Sequence, residues 1–183
     1  LTPFVQKRVL AQQRANTLAI ELAAIMSPPM INMHTRYLQQ LDARGELNRK
    51  RLGLPNDEAI QLRKLQKKGL IAPELAVLIA QAKLMLYPEI LASDIPDDMA
   101  YLPYLSAYFP DELLEVAQDY LPNHYLKREI ISTQMTSQLV NRMGLTFVFR
   151  LEEETGASAA HVTRAWLAAC AIFQADNLWA QLA

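Results

Sequence analysis

Glycine is scarce in this sequence, which has only five among 183 residues, where ordinary usage would give about 13. Tight turns between strands depend on glycine, whereas chains rich in Leu and Ala favour helices. The one strand-like segment, residues 145–149, has no partner strand, so we predict a helix there as well. The sequence therefore predicts an all-α fold of about eight helices, in a single irregular domain that spans residues 1–183.

Prolines and capping residues mark most of the predicted helix boundaries. Thr2 followed by Pro3 predicts an N-cap and a first helix that runs to about Ile25. Ser27, Pro28 and Pro29 are expected to end that helix and begin a second one, which ends near Gly45. Further helices are predicted from Asn56 to Lys68 and from Pro73 onward, with a bend or restart at Pro88. A separate short helix is predicted to end at Tyr108, and another to begin at Pro110. The last helices are predicted over Pro122–Met143, over 145–155 and from Ser158, with a terminal turn from Asp176. The alternative is a sub-division into 1–69 and 70–183.

The most apolar stretch, residues 70–87, contains Pro73, Glu74, Gln81 and Lys83. A membrane span needs about 20 predominantly apolar residues, so we predict a central helix that is buried on all sides, and no membrane partner. The start of the sequence shows no secretory signal, and its single cysteine excludes an internal disulfide. These features favour a cytoplasmic protein.

The sequence lacks the common nucleotide-binding motifs. It has no Gly-x-Gly-x-x-Gly and no phosphate-cradling Gly-Lys-Ser/Thr loop. The three histidines, His34, His124 and His161, have no second His or Cys at a metal-binding spacing. We predict a core histidine at His34 and a buried, inert thiol at Cys170. We therefore assign no catalytic, cofactor-binding or metal-binding residue to this chain.

Each cluster of acidic, basic or methionine residues has a structural and a functional interpretation, and the structural one is favoured. Residues Asp94, Asp97 and Asp98 suit helix capping better than a calcium site. Residues 152–154, three glutamates, suit a solvated or ion-paired run better than acid–base catalysis. The basic runs 49–51 and 63–68 stand in a chain of net charge −1, so we predict no nucleic-acid partner. The three methionines Met26, Met30 and Met33 suit core filling better than a sticky surface.

One set of polar residues is interspersed with apolar residues on consecutive predicted helices. Its members are Arg128, Glu129, Asn141, Arg142, Arg150 and Glu154. Arg150 and Glu154 are four apart, the spacing of a helical ion pair. We predict that this set forms a structural network that holds two helices together.

Several segments resemble the last part of the large bacterial NAD-dependent glutamate dehydrogenases. The most similar segments are 69–84, 91–98, 108–110, 127–134, 140–150 and 153–157, in the family's order. The chain departs from the family at Ile71 and Ala72, where Thr-Arg is common and supplies an N-cap, and at Gln81, where an aromatic residue is usual. The sequence begins with Leu1 rather than Met, which suggests a piece of a longer polypeptide.

The resemblance implies a parent enzyme that oxidatively deaminates L-glutamate with NAD to 2-oxoglutarate and ammonium. The family's dinucleotide-binding motifs match no position here, so NAD is expected to bind the parent enzyme and not this segment. The expected role of the segment is structural, assembly-related or regulatory. Its expected partners are the catalytic domain of the same polypeptide and further copies in a homo-oligomer. The first helix, with Ala11 and Ala15 on its apolar stripe, is the candidate docking element, and the alternative is a freestanding helical interaction module.

Overall fold

The computed structural model describes residues 3–182, without the side chains at 4, 176, 180 and 182. The described residues form α-helices and no strand, which confirms the all-α prediction. The helices are α1 (Pro3–Ala43), α2 (Asp57–Leu65), α3 (Ala72–Ala92), α4 (Leu102–Ser106), α5 (Asp111–Ala117), α6 (Lys127–Met143), α7 (Phe147–Thr155), α8 (Ala159–Ile172) and α9 (Ala175–Leu182). Short 3₁₀ turns lie at Ile95–Asp97, Met99–Tyr101 and Gln118–Asn123. The predicted N-cap Thr2 lies outside the described residues.

The chain divides into two compact units. Unit 1 comprises Leu1–Leu84 and Val140–Phe147, and unit 2 comprises Met85–Leu139 and Val148–Ala183. These bounds differ from the alternative sub-division at 69/70, and the single domain over 1–183 stays a prediction.

Helix α1 contains the main error of the helix predictions. Pro28 and Pro29 were expected to end one helix and begin another, but α1 continues through both. Each proline removes one backbone N–H bond to the carbonyl four residues earlier. Both prolines and Ile25 are exposed, whereas Ser27 and Ile31 beside them are buried. The buried face keeps its helical phase across the prolines, so packing outweighs the local preference of proline to end a helix.

The second half of α1 forms the core of unit 1. Ile31, His34, Leu38 and Leu41 were predicted to share a face, and all four are buried. Gly45 follows the helix with φ +71°, as expected of a glycine that ends a helix in the left-handed region. The other large buried apolar residues of unit 1 are Tyr37, Leu47, Leu54, Ile60, Leu70, Leu75, Leu78, Ile79, Val140 and Leu145.

Helix α3 is the most apolar helix, as predicted, and it continues through Pro88. It was expected to be buried on all sides, but Leu84 is 64% exposed and Ala80 is exposed as well. Among the described residues, α3 is the one helix long and apolar enough to cross a membrane, by length and composition only. Such helices also occur in the cores of soluble proteins, and Glu74 and Lys83 both lie on it.

In unit 2, α6 begins later than predicted. Pro122 was expected to open the helix, but it lies inside a 3₁₀ turn and α6 begins at Lys127. Ser158 caps α8 as predicted, because its hydroxyl accepts from the backbone N–H of His161. The core of this unit is formed by Leu86, Ile90, Ile95, Leu105, Leu121, Ile131, Met135, Leu139, Phe149, Val162, Trp166 and Leu167.

Candidate functional site

Unit 1 contains a cavity of about 270 Å³ between α1 and the carboxyl end of α6. Its wall is mainly apolar and includes Met26 and Met30 of α1. Met26 is 55% exposed, so the prediction that it fills the core was wrong. The remaining lining residues are Ala19, Leu22, Ala23, His34, Ile79, Val140, Asn141, Arg142, Met143, Gly144, Leu145 and Thr146. A concave apolar wall with a few polar groups is the usual form of a ligand or side-chain pocket.

A chain of hydrogen bonds fixes the histidine in the wall of this cavity. The backbone N–H of Leu70 donates to Oγ of Ser27 at 2.7 Å, and the same Oγ lies 3.3 Å from Nδ1 of His34. The serine oxygen accepts from Leu70, and it donates to Nδ1 or accepts from it according to the tautomer of His34. In either tautomer this contact holds the imidazole at the wall of the cavity.

Burial keeps His34 neutral. Desolvation lowers the pKa of its imidazole from 6.5 to about 4, because the charged form loses its hydration in the protein interior. At neutral pH the ring can accept and donate hydrogen bonds but is a poor base. The burial of His34 confirms the predicted core histidine. Its low pKa makes the ring less suited to proton transfer at neutral pH than to hydrogen bonding.

A second polar cluster in unit 1 joins side chains of α1, α3 and α6. Oδ1 of Asn16 accepts from Nζ of Lys83 at 3.1 Å, from Nδ2 of Asn141 at 3.2 Å and from Nε2 of Gln12 at 3.2 Å. Burial lowers the pKa of Lys83. Oδ1 of Asn141 is itself buried without a hydrogen-bond partner. Asn16 thus solvates a half-buried ammonium group through an amide oxygen.

An ion pair between the partly buried Arg63 and the buried Glu74 holds α2 against the start of α3. Nη1 of Arg63 lies 2.5 Å from Oε2 of Glu74, and Nη2 lies 2.8 Å from Oε1. The hydrogen bond to Glu74 raises the pKa of Arg63. Glu74 also accepts from the backbone N–H of Ile71 at 2.9 Å. Glu74 therefore caps α3, whose start has Ile71 and Ala72 where the family commonly has Thr-Arg.

The six residues of the predicted network lie in both units. Asn141 and Arg142 belong to unit 1, and the other four belong to unit 2. Arg128 donates to the carbonyl oxygens of Leu91 at 2.5 Å and Ser93 at 2.9 Å, and it pairs with Asp97. Glu129 is exposed. Arg150 and Glu154 lie 3.9 Å apart as a partly exposed helical pair. A single network that joins all six residues stays a prediction.

The other charged clusters make local contacts. Asp98 accepts from the backbone N–H of Ala100 and so caps a turn, as predicted for this acidic cluster. Asp94 pairs with Arg164, whose hydrogen bond lowers the pKa of that carboxyl. Arg49, in the first basic run, pairs with Asp42 and Asp57. Within the described residues, no group of three or more His, Cys, Asp or Glu side chains is placed to hold a metal ion.

Sequence reasoning missed Ser27, Asn16 and the Arg63–Glu74 pair. The pair had a visible signal, because a glutamate at the third position of a helix often reaches back to its N-cap. Ser27 had none, since its partner Leu70 lies 43 residues away. The contact of Asn16 with Gln12 is local, but Lys83 and Asn141 lie 67 and 125 residues away. Contacts at such separations depend on the tertiary fold.

Comparison with known proteins identifies the family. The model of the glutamate dehydrogenase C-terminal region matches residues 67–183. The whole chain aligns, at 38% identity over 182 residues, with the NAD-specific glutamate dehydrogenases of Halomonas elongata and Pseudomonas aeruginosa. It is 31% identical to the NAD-specific glutamate dehydrogenase of Mycobacterium tuberculosis over the same length.

The chain spans only 11% of the length of each of these relatives. The family match covers α3 to α9, and the alignments with the three relatives extend it across α1 and α2. On these two findings, the chain belongs to the family of the glutamate dehydrogenase C-terminal region.

Proposed function

We propose that this chain is the non-catalytic, helical C-terminal domain of an NAD-specific glutamate dehydrogenase. The full polypeptide would oxidatively deaminate L-glutamate to 2-oxoglutarate and ammonium with NAD as the cofactor. The observation that carries this proposal is the alignment of the whole chain with 11% of three NAD-specific glutamate dehydrogenases. In this proposal NAD binds elsewhere in the polypeptide.

The chemistry of the described polar groups supports a structural role. Arg63 and Glu74 neutralise each other, and Ser27 uses its hydroxyl to join two segments of the backbone. His34 is neutral at physiological pH because its pKa is about 4. Side chains committed to internal partners stabilise a fold and are not available to activate a substrate.

We further propose that the domain supports the catalytic domain of the same polypeptide, within a homo-oligomer in the cytoplasm. Exposed apolar side chains on α1, including Leu18 and Ile25, support a docked state, because large apolar patches on a surface mark interaction sites.

Glutamate-dependent formation of NADH, followed by absorbance, tests the proposal. We expect the full polypeptide to be active and the 183-residue chain to show no activity above the buffer rate. A rate near that of the full polypeptide from the chain alone would overturn the non-catalytic role. An inactive full polypeptide would overturn the proposed reaction.

The size of the endogenous protein tests the alternative, a freestanding interaction module. An antibody raised against this chain should detect a polypeptide about nine times its 20.7 kDa, given the 11% share of the relatives. A band at 20.7 kDa alone would favour the freestanding module.

A further inference from the structure

Helix α1 carries a second apolar face in addition to the one that forms the core of unit 1. Leu18 is 56% exposed, Leu22 is 50% exposed and Ile25 is 72% exposed. Ala15 and Ala11, about one and two turns before Leu18, are also exposed. At 100° per residue these five side chains share one side of the helix, which points away from Ser27 and His34, and the buried Ala19 lies at the edge of this side. The first half of α1 therefore presents an apolar, exposed side, with Ala19 buried at its edge.

The exposed face has the spacing of a helix-packing seam. Its residues Ala11, Ala15, Leu18, Leu22 and Ile25 are separated by four, three, four and three positions. This alternation repeats every seven residues, the period with which one helix packs along another. Small residues at Ala11 and Ala15 allow a partner backbone to approach closely, and the larger residues after them offer apolar contact area. The seam therefore fits a helix better than it fits a strand or a small molecule.

The charges beside the seam disfavour a second copy of α1 as the occupant. Lys7, Arg14 and Glu21 form the row along one edge. An antiparallel pair that matched Lys7 with Glu21 would place Arg14 against the same arginine of its copy. A parallel pair would place this row beside the opposite edge, where Ala19 is already buried in unit 1. Neither arrangement gives a complete set of opposite charges.

The length of the relatives indicates where the partner helix comes from. About nine-tenths of each relative lies outside the region that aligns with this chain. A segment of the same polypeptide is present at a high effective concentration, so it occupies a seam before a separate protein can. The family model matches from residue 67 onward, so α1 lies before the matched region.

We propose that Ala11, Ala15, Leu18, Leu22 and Ile25 bind a helix from the remainder of the same polypeptide, with acidic side chains facing Lys7 and Arg14. This inference rests on the proposed function, because it requires that the chain be part of a longer enzyme. It identifies the docking surface and the kind of partner that the proposed function leaves open.

A pair of double variants tests the seam. Leu18→Glu with Ile25→Glu places two charges in the seam, and Leu62→Glu with Leu65→Glu is the matched control. Leu62 is 56% exposed and Leu65 is 84% exposed, both on α2 of the same unit. In the 183-residue chain we expect both double variants to shift Tm by no more than about 2 °C, because all four positions are exposed. In the full polypeptide we expect the seam variant alone to raise the rate of proteolysis at α1 by about ten-fold or more.

Photo-crosslinking identifies the occupant. A benzoylphenylalanine at position 18 of the full polypeptide should link to a helical segment outside these 183 residues, and mixed isotope labelling should show that the link lies within one polypeptide. Links between differently labelled copies would overturn the proposal in favour of self-association. Equal proteolysis of the seam and control variants would overturn it as well. Glutamate-dependent NADH formation by the same preparation tells whether the proposed function fails too.

Discussion

The backbone N–H of Leu70 donates a 2.7 Å hydrogen bond to Oγ of Ser27, 43 residues earlier in the chain. Ser27 is fully buried and lies next to the two prolines inside α1. The bond therefore joins the middle of α1 to the segment that leads into α3. It also orients His34, because the hydroxyl that accepts from Leu70 lies 3.3 Å from Nδ1 of the imidazole.

Ser27→Ala should destabilise the chain by about 1–3 kcal/mol. The substitution leaves the buried N–H of Leu70 without an acceptor, which costs the desolvation of that group. Ser132→Ala is the matched control, since Ser132 is also fully buried but its Oγ has no hydrogen-bond partner. We expect the control to be neutral or slightly stabilising. Urea unfolding of both variants measures the difference, and equal costs would contradict this role of Ser27.

Gly69→Ala should destabilise the chain by steric overlap. A Cβ at this position would lie 2.5 Å from the carbonyl carbon and Oγ of Ser27 and 2.6 Å from the nitrogen of Pro28. Two of these atoms belong to the backbone of a helix and cannot move alone, so we expect a cost at or above about 3 kcal/mol, the upper end for overpacking. Gly45→Ala provides the comparison, because Gly45 has φ +71° and open space around its Cβ position.

Comparing Gly69→Ala with Gly45→Ala separates two reasons for a glycine, the lack of space for a Cβ and a left-handed backbone. Gly45→Ala should cost about 1–2 kcal/mol through its left-handed backbone alone. Thermal unfolding of both variants gives the order of the two effects. A Gly69→Ala variant that unfolds at the same temperature as the unsubstituted chain would show that Gly69 does not lie in close contact with Ser27 and Pro28 of α1.

The sequence predicted helices well and long-range contacts poorly, for a physical reason. Helix starts at Asn56 and Ser158 were predictable because a cap acts within three residues. The continuation of α1 through Pro28 was not, because it depends on Ser27 being buried against Gly69 and Leu70. A proline in a helix is tolerated where packing on the opposite face holds the helix in phase.

The candidate site was predictable only in part. His34 was expected in the core because it shares a helical face with Ile31 and Leu38, and that periodicity is local information. The cavity beside it is formed by residues more than 100 positions apart, such as Met30 and Asn141. No pattern within a single helix shows such a pair.

Glu74→Gln should cost about 3 kcal/mol. It leaves Arg63 charged and partly buried without a carboxylate, and the low end of the range for a broken buried pair applies because Arg63 still reaches solvent. Glu154→Gln is the control, since Glu154 pairs with Arg150 on an exposed helix surface. We expect the control to lose no more than about 0.5 kcal/mol. Denaturant unfolding at low and high salt measures the loss of unfolding free energy in each variant. The loss in Glu74→Gln should change less with salt than the loss in Glu154→Gln, because a partly buried pair is screened less.

Lys83→Met should leave the chain as stable as before or more stable. Burial lowers the pKa of Lys83, so its charged form is disfavoured in the folded state. That cost is fully present at neutral pH and disappears only above the unfolded pKa of about 10.4. Asn16→Ala should be destabilising by about 1–3 kcal/mol, because Lys83 and Asn141 lose their shared acceptor.

The double variant connects these two effects. Asn16→Ala should cost less in a Lys83→Met background, since the ammonium group that needed Asn16 is gone. A double-mutant cycle from urea unfolding measures this coupling. Costs that simply add would show that Asn16 does not solvate Lys83.

His34 should make the chain less stable as the pH falls below 6.5. Its folded-state pKa is about 4, against 6.5 in the unfolded chain, so between these values the unfolded state binds a proton that the folded state does not. Stability is therefore unaffected by this group above pH 6.5 and decreases from pH 6.5 to pH 4, by up to about 3 kcal/mol. In His34→Gln this contribution is absent, although the variant loses some packing at every pH. The difference in unfolding free energy between the two proteins should shrink as the pH is lowered to 4. If the unfolding free energies of the two proteins stayed equally far apart from pH 6.5 to pH 4, the imidazole would take up a proton in the folded chain as readily as in the unfolded one. That result would contradict a buried, neutral His34.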